Sequence, residues 1–363
     1  MNRVGVMHLV DSLDIGGTER MAVNFVNSLP RERYVPYLCT TRRDGPLEGL
    51  LGADVGRLRL ERKFRLDLGA VYRLASFARR HDIRILHAHS SSLFVATAAS
   101  RFYSHPAVIW HDHFGRYGLE HRSAFLFRRL ASNIGGVIAV SQPLAEWARH
   151  ALSVPTERVW YIPNFAFLEE PNGELPTLPG SPGSRIVCVA NLRPQKDHVT
   201  LLQAIALVVR QRPDAHLLLV GAATDLAYFE VVKKEIARRA LDSHVTLLGE
   251  RHDVASILRG CDIGVLSSAS EGLPLSLLEY GMAGLPVVAT DVGQCAEVLE
   301  YGRAGMVVAA QAPELLSEAL LLLIQSPDRR IALARRLRAR VIEIHSPRAI
   351  IERVCCIYDA LLN

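Results

Sequence analysis

Short runs of apolar and β-branched residues alternate with segments of helical periodicity along nearly the whole chain. This alternation is typical of an α/β fold built on parallel sheets. The first half has predicted strands at 4–10, 35–40, 85–88, 107–110 and 137–140. Its predicted helices lie at 19–29, 68–81 and 144–151.

The alternation is interrupted once, at the Pro- and Gly-rich stretch NGELPTLPGSPGS, 172–184, and then resumes. Such a stretch indicates a linker between two domains. The second half has predicted strands at 186–189, 217–220, 245–248, 263–266 and 287–290, and predicted helices at 199–210 and 228–240. We therefore expect two doubly wound domains, 1–171 and 185–345, with a last helix, 346–363, completing the first.

Parallel sheets of this kind bind ligands outside the carboxyl ends of their strands, so the segments just after predicted strands deserve scrutiny. The segment DSLDIGGTER follows the first strand, and Gly16 and Gly17 allow close backbone approach at the start of a helix that could attract an anion. An ordinary tight turn explains this Gly-Gly pair equally well. The pattern is not G-x-G-x-x-G, which disfavours a dinucleotide site.

Two cations follow the first strand of the second domain, in ANLRPQKDH. Arg193 and Lys196 are three positions apart on a predicted loop, with a helix beginning near His198. An arginine fork and a lysine point charge together suit a diphosphate. A solvated surface pair is the simpler interpretation of two such cations.

Two carboxylates stand eight positions apart in SEGLPLSLLEYGMAGLPVVATDVG, residues 270–293. Glu271 should precede a helix that Pro274 begins, and Glu279 should lie in its second turn. A fully helical separation of eight would leave them about 12 Å apart and rotated by about 80°. They therefore suit opposite ends of an elongated ligand, with hydroxyls at the carboxylates and a phosphate at the helix start between them. A sugar nucleotide has this layout.

The run Glu271-Gly272-x-Pro274-x4-Glu279 followed by GLPVVATDVG resembles the signature of the family 4 retaining glycosyltransferases, which have the GT-B fold. The resemblance extends over nearly the whole chain. It includes the Gly-Gly turn, IPN at 162–164, the Arg/Lys loop, LVG at 219–221, LLGERHDV at 247–254 and CDIGVLSSASEG at 261–272. The implied architecture is two Rossmann-like domains facing each other across a cleft.

The resemblance also implies roles at the matching positions. Glu279 would accept hydrogen bonds from the donor's ribose, Glu271 would hold the transferred sugar, and Lys196 would meet the diphosphate. This chain has Asn191 where the family has an arginine, and we expect Arg193 to supply the missing cation. The remaining donor-binding candidates are Gly16, Gly17, Gly272, Leu273, Pro274 and Leu275 around the phosphates, and Gly249 and Arg251 beside the base.

Two H-x-H pairs follow predicted strands, His87 with His89 and His111 with His113. Such pairs suggest zinc, but no metal-site spacing accompanies them, so we predict no metal. By resemblance, His111 is the histidine that binds a donor hydroxyl or shapes the acceptor pocket. His113 is the second candidate, and polar lining of a pocket is the simplest alternative.

Composition narrows the class of protein. The 363 residues are 49% hydrophobic, enough for two cores, and the six cysteines have no C-x-x-C spacing. We expect reduced thiols and a cytoplasmic protein, because neither a signal peptide nor a membrane span is recognisable. The net charge of +5 belongs to the first half, since residues 1–170 carry +6.

The basic first half raises the question of partners. The segment HRSAFLFRRLAS, 121–132, mixes arginines with aromatic residues, as an interfacial membrane helix does. A helix with one core face and one solvated face is the simpler interpretation. Nucleic acid is disfavoured, because the basic excess is modest and no zinc finger or aromatic RNA-binding platform accompanies it.

The resemblance thus implies a retaining hexosyltransferase that moves a sugar from a nucleotide diphosphate to an acceptor hydroxyl in the synthesis of polysaccharide, glycolipid or another glycoconjugate. No cofactor or metal is expected, because no Asp-x-Asp occurs and the cations can hold the diphosphate. The partners are the nucleotide sugar and a hydroxyl-bearing acceptor, with a peripheral membrane contact left open. A sugar-nucleotide epimerase and a silent nucleotide-binding protein are the alternatives.

Overall fold

The computed structural model describes residues 3–64, 67–102, 106–114, 123–131, 133–165, 168 and 176–362. Within it the chain forms two compact units. The first comprises residues 1–165 and 347–363, and the second comprises residues 166–346. The predicted domain end at 171 lies outside the described residues and stays a prediction.

The first unit is built on a seven-stranded sheet. Its strands are β1 (Val4–Val10), β2 (Tyr34–Thr40), β3 (Gly56–Arg59), β4 (Ile83–His89), β5 (Ala107–Asp112), β6 (Gly136–Ala139) and β7 (Val159–Tyr161). Its helices from this part of the chain are α1 (Gly17–Ser28), α2 (Leu68–Arg80), α3 (Leu93–Ser100), α4 (Phe125–Ala131) and α5 (Gln142–His150).

The second unit is built on a six-stranded sheet. Its strands are β8 (Arg185–Val189), β9 (His216–Val220), β10 (Val245–Gly249), β11 (Ile263–Leu266), β12 (Val287–Thr290) and β13 (Met306–Val308). Its helices are α6 (His198–Gln211), α7 (Leu226–Arg238), α8 (Val254–Arg259), α9 (Leu275–Ala283), α10 (Cys295–Val298), α11 (Pro313–Gln325) and α12 (Pro327–His345). The last helix, α13 (Pro347–Leu362), belongs to the first unit.

Both sheets are parallel and share one strand order. The first runs β3-β2-β1-β4-β5-β6-β7 and the second runs β10-β9-β8-β11-β12-β13. In each, the order reverses between the first and the fourth strand of the unit, which is the switch point where doubly wound folds bind ligands. The predicted α/β class with two doubly wound domains is confirmed.

Most of the strands that were predicted are buried on both faces, although β10 was predicted with only one buried residue. For example, β1 has six buried residues out of seven, and β11 is buried throughout. The short strands β3, β7 and β13 were not predicted, because none has more than four residues and each is only partly buried. Helix α3 was also missed, since its apolar residues surround the helix rather than following one face.

Candidate active site

The switch point of the second unit lies between β8 and β11, and two loops leave the sheet there. The segment 190–197 follows β8, and the segment 267–274 follows β11. The first carries Arg193 and Lys196, and the second carries Glu271. The strand order therefore brings together two groups of predicted site residues that are 75 positions apart in sequence.

The Lys196 Nζ donates to Glu271 Oε1 over 2.5 Å, and the two side chains are only 11% and 7% exposed. The same carboxylate oxygen also accepts a hydrogen bond from Ser268 Oγ at 2.6 Å. A buried carboxylate and ammonium lose hydration, so each depends on the partners that the protein supplies. Within the described ranges these are the side-chain hydrogen bonds of the pair, so Glu271 Oε2 and the other two ammonium hydrogens of Lys196 are left for a ligand.

Three further hydrogen bonds tie the two loops together. Ser267 Oγ donates to the Lys196 carbonyl at 3.0 Å. Gln195 Nε2 donates to the Ser270 carbonyl at 2.9 Å, and the Ala269 amide donates to the Gln195 carbonyl at 3.0 Å. The ion pair is therefore held by a fixed backbone rather than by two free side chains.

Gly293 closes this site from the segment after β12. Its φ of +56° lies in the left-handed region that favours glycine. An added Cβ would lie 2.3 Å from the Gly272 carbonyl oxygen and 2.4 Å from that of Glu271. Only glycine permits this approach, which is supported by a 2.9 Å hydrogen bond from the Gln294 amide to the Gly272 carbonyl.

Helix α9 starts directly behind Glu271. Its first residue is Leu275 and its N-cap is Pro274, so the helix begins one residue later than predicted. Pro274 has an extended backbone with ψ of 124°, which ends the loop rather than opening the helix. Glu279 lies in the second turn as expected, and Leu273 is buried. The amides of the first turn of a helix are groups that can bind an anion.

The loop after β8 contains a short 3₁₀ helix, Pro194–Lys196, where an irregular loop was predicted. Arg193 is its N-cap and is exposed. Asn191, where the family has an arginine, accepts a hydrogen bond from the Ala222 amide at its Oδ1 (3.1 Å). Asn191 thus anchors the segment after β9, which is a structural role that an arginine could not perform in the same way.

The predicted base-binding segment follows β10. Gly249 has φ of +66°, and its carbonyl accepts from the Gly221 amide at 2.8 Å. Arg251 is bound to Asp253, with Nε–Oδ1 and Nη2–Oδ2 distances of 2.7 and 2.6 Å. This exposed ion pair orients the segment immediately before α8. Because the Asp253 carboxylate holds the guanidinium of Arg251, the side chain must leave this partner before it can bind a ligand.

In the first unit, Gly16 is the N-cap of α1 and Gly17 its first residue. The first-turn carboxylate of Glu19 lies over Gly16, where an added Cβ would be 2.3 Å from Glu19 Oε2. Burial raises the pKa of Glu19. The N-terminus of α1 therefore has an acidic side chain of its own at the position where we predicted a bound anion.

Five histidines from three neighbouring strands of the first unit lie against each other. His8 is on β1, His87 and His89 on β4, and His111 on β5, with His113 just after it. Phe25 of α1 covers four of these rings, with centroid distances of 5.4–6.1 Å. Burial lowers the pKa of all five, that of His113 to about 3, which keeps the rings neutral at pH 7.

The histidines are joined by hydrogen bonds, and Tyr358 of α13 belongs to the same network. The nitrogen–nitrogen distances are 2.9 Å for His8–His89, 3.0 Å for His87–His111 and 2.9 Å for His89–His113. The Tyr358 hydroxyl lies 2.6 Å from His87 and 3.2 Å from His8. Two histidine triplets bring one nitrogen each within 4.8 Å, namely His8 with His87 and His89, and His89 with His111 and His113.

The sequence had indicated the two H-x-H pairs but not the rest of this network. His8 is a polar residue in the middle of the buried strand VGVMHLV, which was the available signal. Tyr358 gave no signal, because it is 271 positions from His87. Ser268 was likewise missed, since its role follows only from the contact with Glu271.

The described part of the chain contains no helix long and apolar enough to cross a membrane. All six cysteines are free, and five are buried. The candidate membrane segment includes α4, where Phe125 and Leu126 are exposed while Phe127 stacks on Trp110 with ring centroids 5.0 Å apart. This helix therefore has both a core face and an exposed aromatic end.

Comparison with known families gives two consecutive matches that together span most of the chain. Residues 15–170 match the model described as Glycosyltransferase Family 4, and residues 183–326 match Glycosyl transferases group 1. The first covers most of the first unit, and the second covers the sheet with Lys196 and Glu271.

Among curated relatives, the chain is 25% identical over 317 residues to an Escherichia coli UDP-Gal:alpha-D-GlcNAc-diphosphoundecaprenol alpha-1,3-galactosyltransferase, covering 80% of each. It is 32% identical over 165 residues to a Corynebacterium glutamicum GDP-mannose-dependent monoacylated alpha-(1-6)-phosphatidylinositol monomannoside mannosyltransferase, covering 43% of this chain and 42% of that one. The crystal structure of Anabaena HepE in complex with UDP and glucose superposes with a TM-score of 0.82, at 20% identity, over 99% of this chain and 100% of that one. The predicted GT-B fold is confirmed by these matches.

Proposed function

The chain belongs to the family 4 glycosyltransferases, and on this premise we propose that it transfers a hexose from a nucleoside-diphosphate sugar to a lipid-linked or glycan hydroxyl, with retention of configuration and without a metal ion. The named relatives are glycosyltransferases, which favours transfer over the epimerase alternative. The buried Lys196–Glu271 pair at the switch point of the second sheet is the observation that carries this proposal.

Lys196 of the ion pair suits the negative charge that develops in the reaction. A leaving diphosphate gathers negative charge as the glycosidic bond breaks, and a fixed ammonium in a water-poor site stabilises that charge. Lys196 is fixed in this way by Glu271 and by the Ser267 contact to its carbonyl. Arg193, three residues away and exposed, supplies the second cation, and the first turn of α9 supplies amides.

Glu271 positions the sugar in this mechanism and does not attack it. One of its oxygens already accepts from Lys196 and Ser268, which makes it a poor nucleophile and leaves the other to accept hydrogen bonds from sugar hydroxyls. The acceptor hydroxyl attacks on the face that the leaving group departs from, and its proton passes to the leaving phosphate. Glu279 in α9 holds the ribose.

Metal independence rests on the residues that would replace a metal. Divalent cations in sugar-nucleotide sites are held by paired carboxylates, and this chain contains no Asp-x-Asp. Arg193 and Lys196 instead supply positive charge next to the carboxylate that holds the sugar. Transfer should therefore be unchanged in excess chelator, and complete loss that magnesium or manganese restores would contradict this step.

The names of the relatives support the choice of donor and acceptor classes. One relative is named for UDP-Gal and an acceptor on diphosphoundecaprenol, and another for GDP-mannose and a phosphatidylinositol mannoside. We therefore place UDP-hexoses first and GDP-mannose second as donors. A sugar on a polyprenyl diphosphate is the first acceptor to test.

The decisive experiment follows transfer and donor hydrolysis separately with each of these donors. The anomeric configuration of the product, determined by NMR, tests retention. Glu271→Gln should lose transfer without accumulating a modified enzyme. A trapped covalent glycosyl–Glu271 species would overturn the positioning role, and an absence of transfer with every donor and acceptor would favour the silent nucleotide-binding alternative.

A lipid-linked acceptor would bring the enzyme to a membrane surface, and α4 of the first unit is the surface that fits. Phe125 is 71% and Leu126 is 47% exposed, next to the exposed Arg128 and Arg129. Aromatic and basic groups together favour the interface of anionic lipids.

Co-sedimentation with vesicles tests this contact. We expect binding to phosphatidylglycerol vesicles, less to phosphatidylcholine vesicles, and loss of binding in Phe125→Ser with Leu126→Ser. The matched control is Leu226→Ser, which removes a 73% exposed leucine from α7 of the other unit. Equal loss in the control would show that α4 is not the contact.

A further inference from the structure

Among the residues that the structure describes, the histidine network of the first unit is one unbranched chain of hydrogen bonds. In order, its members are His113, His89, His8, Tyr358, His87 and His111. Each interior imidazole uses both of its ring nitrogens, and the Tyr358 hydroxyl lies between two of them. The side chains of His8, His87 and Tyr358 are fully buried, so the interior of this network has no access to bulk water, while His113 at one end is only partly buried.

The number of N–H and O–H protons in this histidine network is fixed. A neutral imidazole has one N–H and one bare nitrogen, and a tyrosine has one O–H. Burial lowers the pKa of the five histidines and raises that of Tyr358, so all six groups are neutral and hold six protons. The five hydrogen bonds use five of them, and one proton remains for an outer nitrogen at one end.

Tyr358 forces all the bonds to point the same way. If its hydroxyl accepted from both His8 and His87, its own proton would be buried without a partner, which costs about 1–3 kcal/mol. The hydroxyl therefore donates to one neighbour and accepts from the other. Every other bond in the chain then takes the same direction, because each neutral imidazole that accepts at one nitrogen must donate from the other.

The two ends of the chain meet at the carboxyl edge of the sheet. The rings of His111 and His113 are stacked with centroids 4.2 Å apart and planes 30° apart. The outer nitrogen of His111, Nε2, is buried and has no hydrogen-bonding partner among the residues that the structure describes. The outer nitrogen of His113, Nδ1, belongs to a partly buried residue directly after β5.

We propose that His8, His87, His89 and Tyr358 are positioning residues that couple the tautomers of His111 and His113, so that the paired rings always present one N–H donor and one bare-nitrogen acceptor to a ligand hydroxyl. A hydroxyl is both a donor and an acceptor, which makes it complementary to this pair. The inference rests on the proposed function for the identity of that hydroxyl, which belongs to a sugar substrate.

The geometry distinguishes the histidine network from a metal centre. Metal ligands direct their lone pairs at one common point, at about 2.0–2.1 Å for zinc and imidazole. Here neighbouring rings direct their nitrogens at each other over 2.9–3.0 Å, and several rings are stacked nearly parallel, such as His87 and His89 at 12°. Apart from the two outer nitrogens, the ring nitrogens are thus already occupied by another histidine or by Tyr358.

Nitrogen NMR of ¹⁵N-histidine-labelled protein tests the coupling without any substrate, because ring nitrogens with and without a proton have distinct shifts. In the wild type, the protonated fractions of His111 Nε2 and His113 Nδ1 should sum to one. Two protonated or two bare outer nitrogens would overturn the proposal. So would stoichiometric uptake of added zinc that shifts these resonances together.

Substitutions then test whether Tyr358 is the link. His113→Ala should change the tautomer of His111 in the wild-type background and leave it unchanged in a Tyr358→Phe background. The matched control is Tyr34→Phe, which removes another buried tyrosine hydroxyl that binds Asp359 of α13 but not the histidines. Equal coupling in Tyr358→Phe and in Tyr34→Phe would show that Tyr358 does not transmit it.

Turnover separates this inference from the proposed function. Tyr358→Phe should lower the rate of sugar transfer about tenfold relative to Tyr34→Phe at equal folded fraction. A tenfold change corresponds to the net contribution of about one hydrogen bond. Equal turnover of the two variants would overturn the link between tautomer and substrate. If the wild type transfers no sugar at all, the proposed function fails. The NMR measurement of the two tautomers then still decides whether the histidine network couples them.

Discussion

The two units have the same strand order, but the side chains at their switch points differ: they are charged in the second unit and neutral in the first. In the second unit, the loops after β8 and β11 bring together a buried ammonium and a carboxylate, Lys196 and Glu271. In the first unit, the equivalent strands β1 and β4 bring together neutral imidazoles, His8 and His89. The fold thus determines where functional side chains meet, and their identity determines what they can bind.

The difference has an electrostatic consequence. A charged pair stabilises charge that develops in a ligand, as a departing diphosphate requires. Neutral imidazoles at the other switch point suit hydroxyls without adding charge, as proposed above, but they should make that unit sensitive to acid. The predictions below separate these two properties.

The largest effect should be the acid sensitivity of the first unit. Burial lowers the pKa of His8, His87, His89 and His111 below the unfolded value of about 6.5. The unfolded chain therefore binds more protons below pH 6.5, and stability falls as the pH falls. Each group contributes up to about 1.4 kcal/mol per pH unit, or up to about 5.5 kcal/mol per unit for the four.

Tryptophan fluorescence measures this loss selectively, because all three tryptophans, Trp110, Trp147 and Trp160, belong to the first unit. Hydrogen exchange reports on the second unit, where burial lowers the pKa of His198 to about 4 and lowers that of His216 as well. We expect the first unit to unfold at higher pH than the second. Constant stability of the first unit between pH 7 and pH 5 would refute the buried neutral cluster.

The charged pair should show the next largest effect. Lys196→Met leaves Glu271 buried without its cation, which should destabilise the second unit by about 3–5 kcal/mol. Transfer should fall by about 10²–10³, because the leaving diphosphate loses its fixed charge. Adding Glu271→Gln should recover much of the stability and none of the activity, as measured by denaturant unfolding and by product formation.

The matched control is Lys233→Met, in an exposed pair with Glu230 whose side chains are 45% and 57% exposed. Such a pair contributes about 0–1 kcal/mol. If Lys196→Met is no more destabilising than Lys233→Met, the pair at the switch point is solvated and the contrast between the two units fails.

A backbone substitution tests whether the pair depends on its loop. Gly293→Ala adds a Cβ that overlaps the carbonyls of Glu271 and Gly272 at a φ of +56°, and should cost about 3 kcal/mol. Gly302→Ala is the control, because its φ of +96° is also positive while no atom lies within 4 Å of the added Cβ. Similar losses of stability and transfer in both variants would mean that backbone strain alone, and not displacement of Glu271, explains the effect.

Much of this fold was predictable because its central strands are buried on both faces and read as continuous apolar runs. Strands β11 and β12 were predicted with the bounds that the structure has. The edge strand β3, with the sequence GRLR, carries no such run, because it is partly exposed and is defined by pairing with β2. Pairing depends on contacts distant in sequence, which periodicity does not report.

The site was predictable only residue by residue. The sequence identified Lys196 and Glu271 separately, by their positions after strands and by family resemblance, and assigned each to a ligand. Their direct ion pair depends on the adjacency of β8 and β11, which strand order sets and local sequence does not. The hydrogen-bonded chain of the first unit depends in the same way on α13 returning Tyr358 to the histidines.

The smallest effect concerns the cation at the edge of the second site. Arg193 is exposed, so Arg193→Ala should weaken nucleoside-diphosphate binding only about fivefold, and less at high salt. Asn191→Arg in that background restores the family's arginine but removes the acceptor of the Ala222 amide. Titration calorimetry with UDP and GDP at two salt concentrations measures the affinity of each variant and its dependence on salt. Recovered affinity in the double variant would show that the two positions serve one phosphate. If Arg193→Ala binds like the wild type at low salt, Lys196 and the α9 amides hold the diphosphate alone, and the charge of the second site is the buried pair itself.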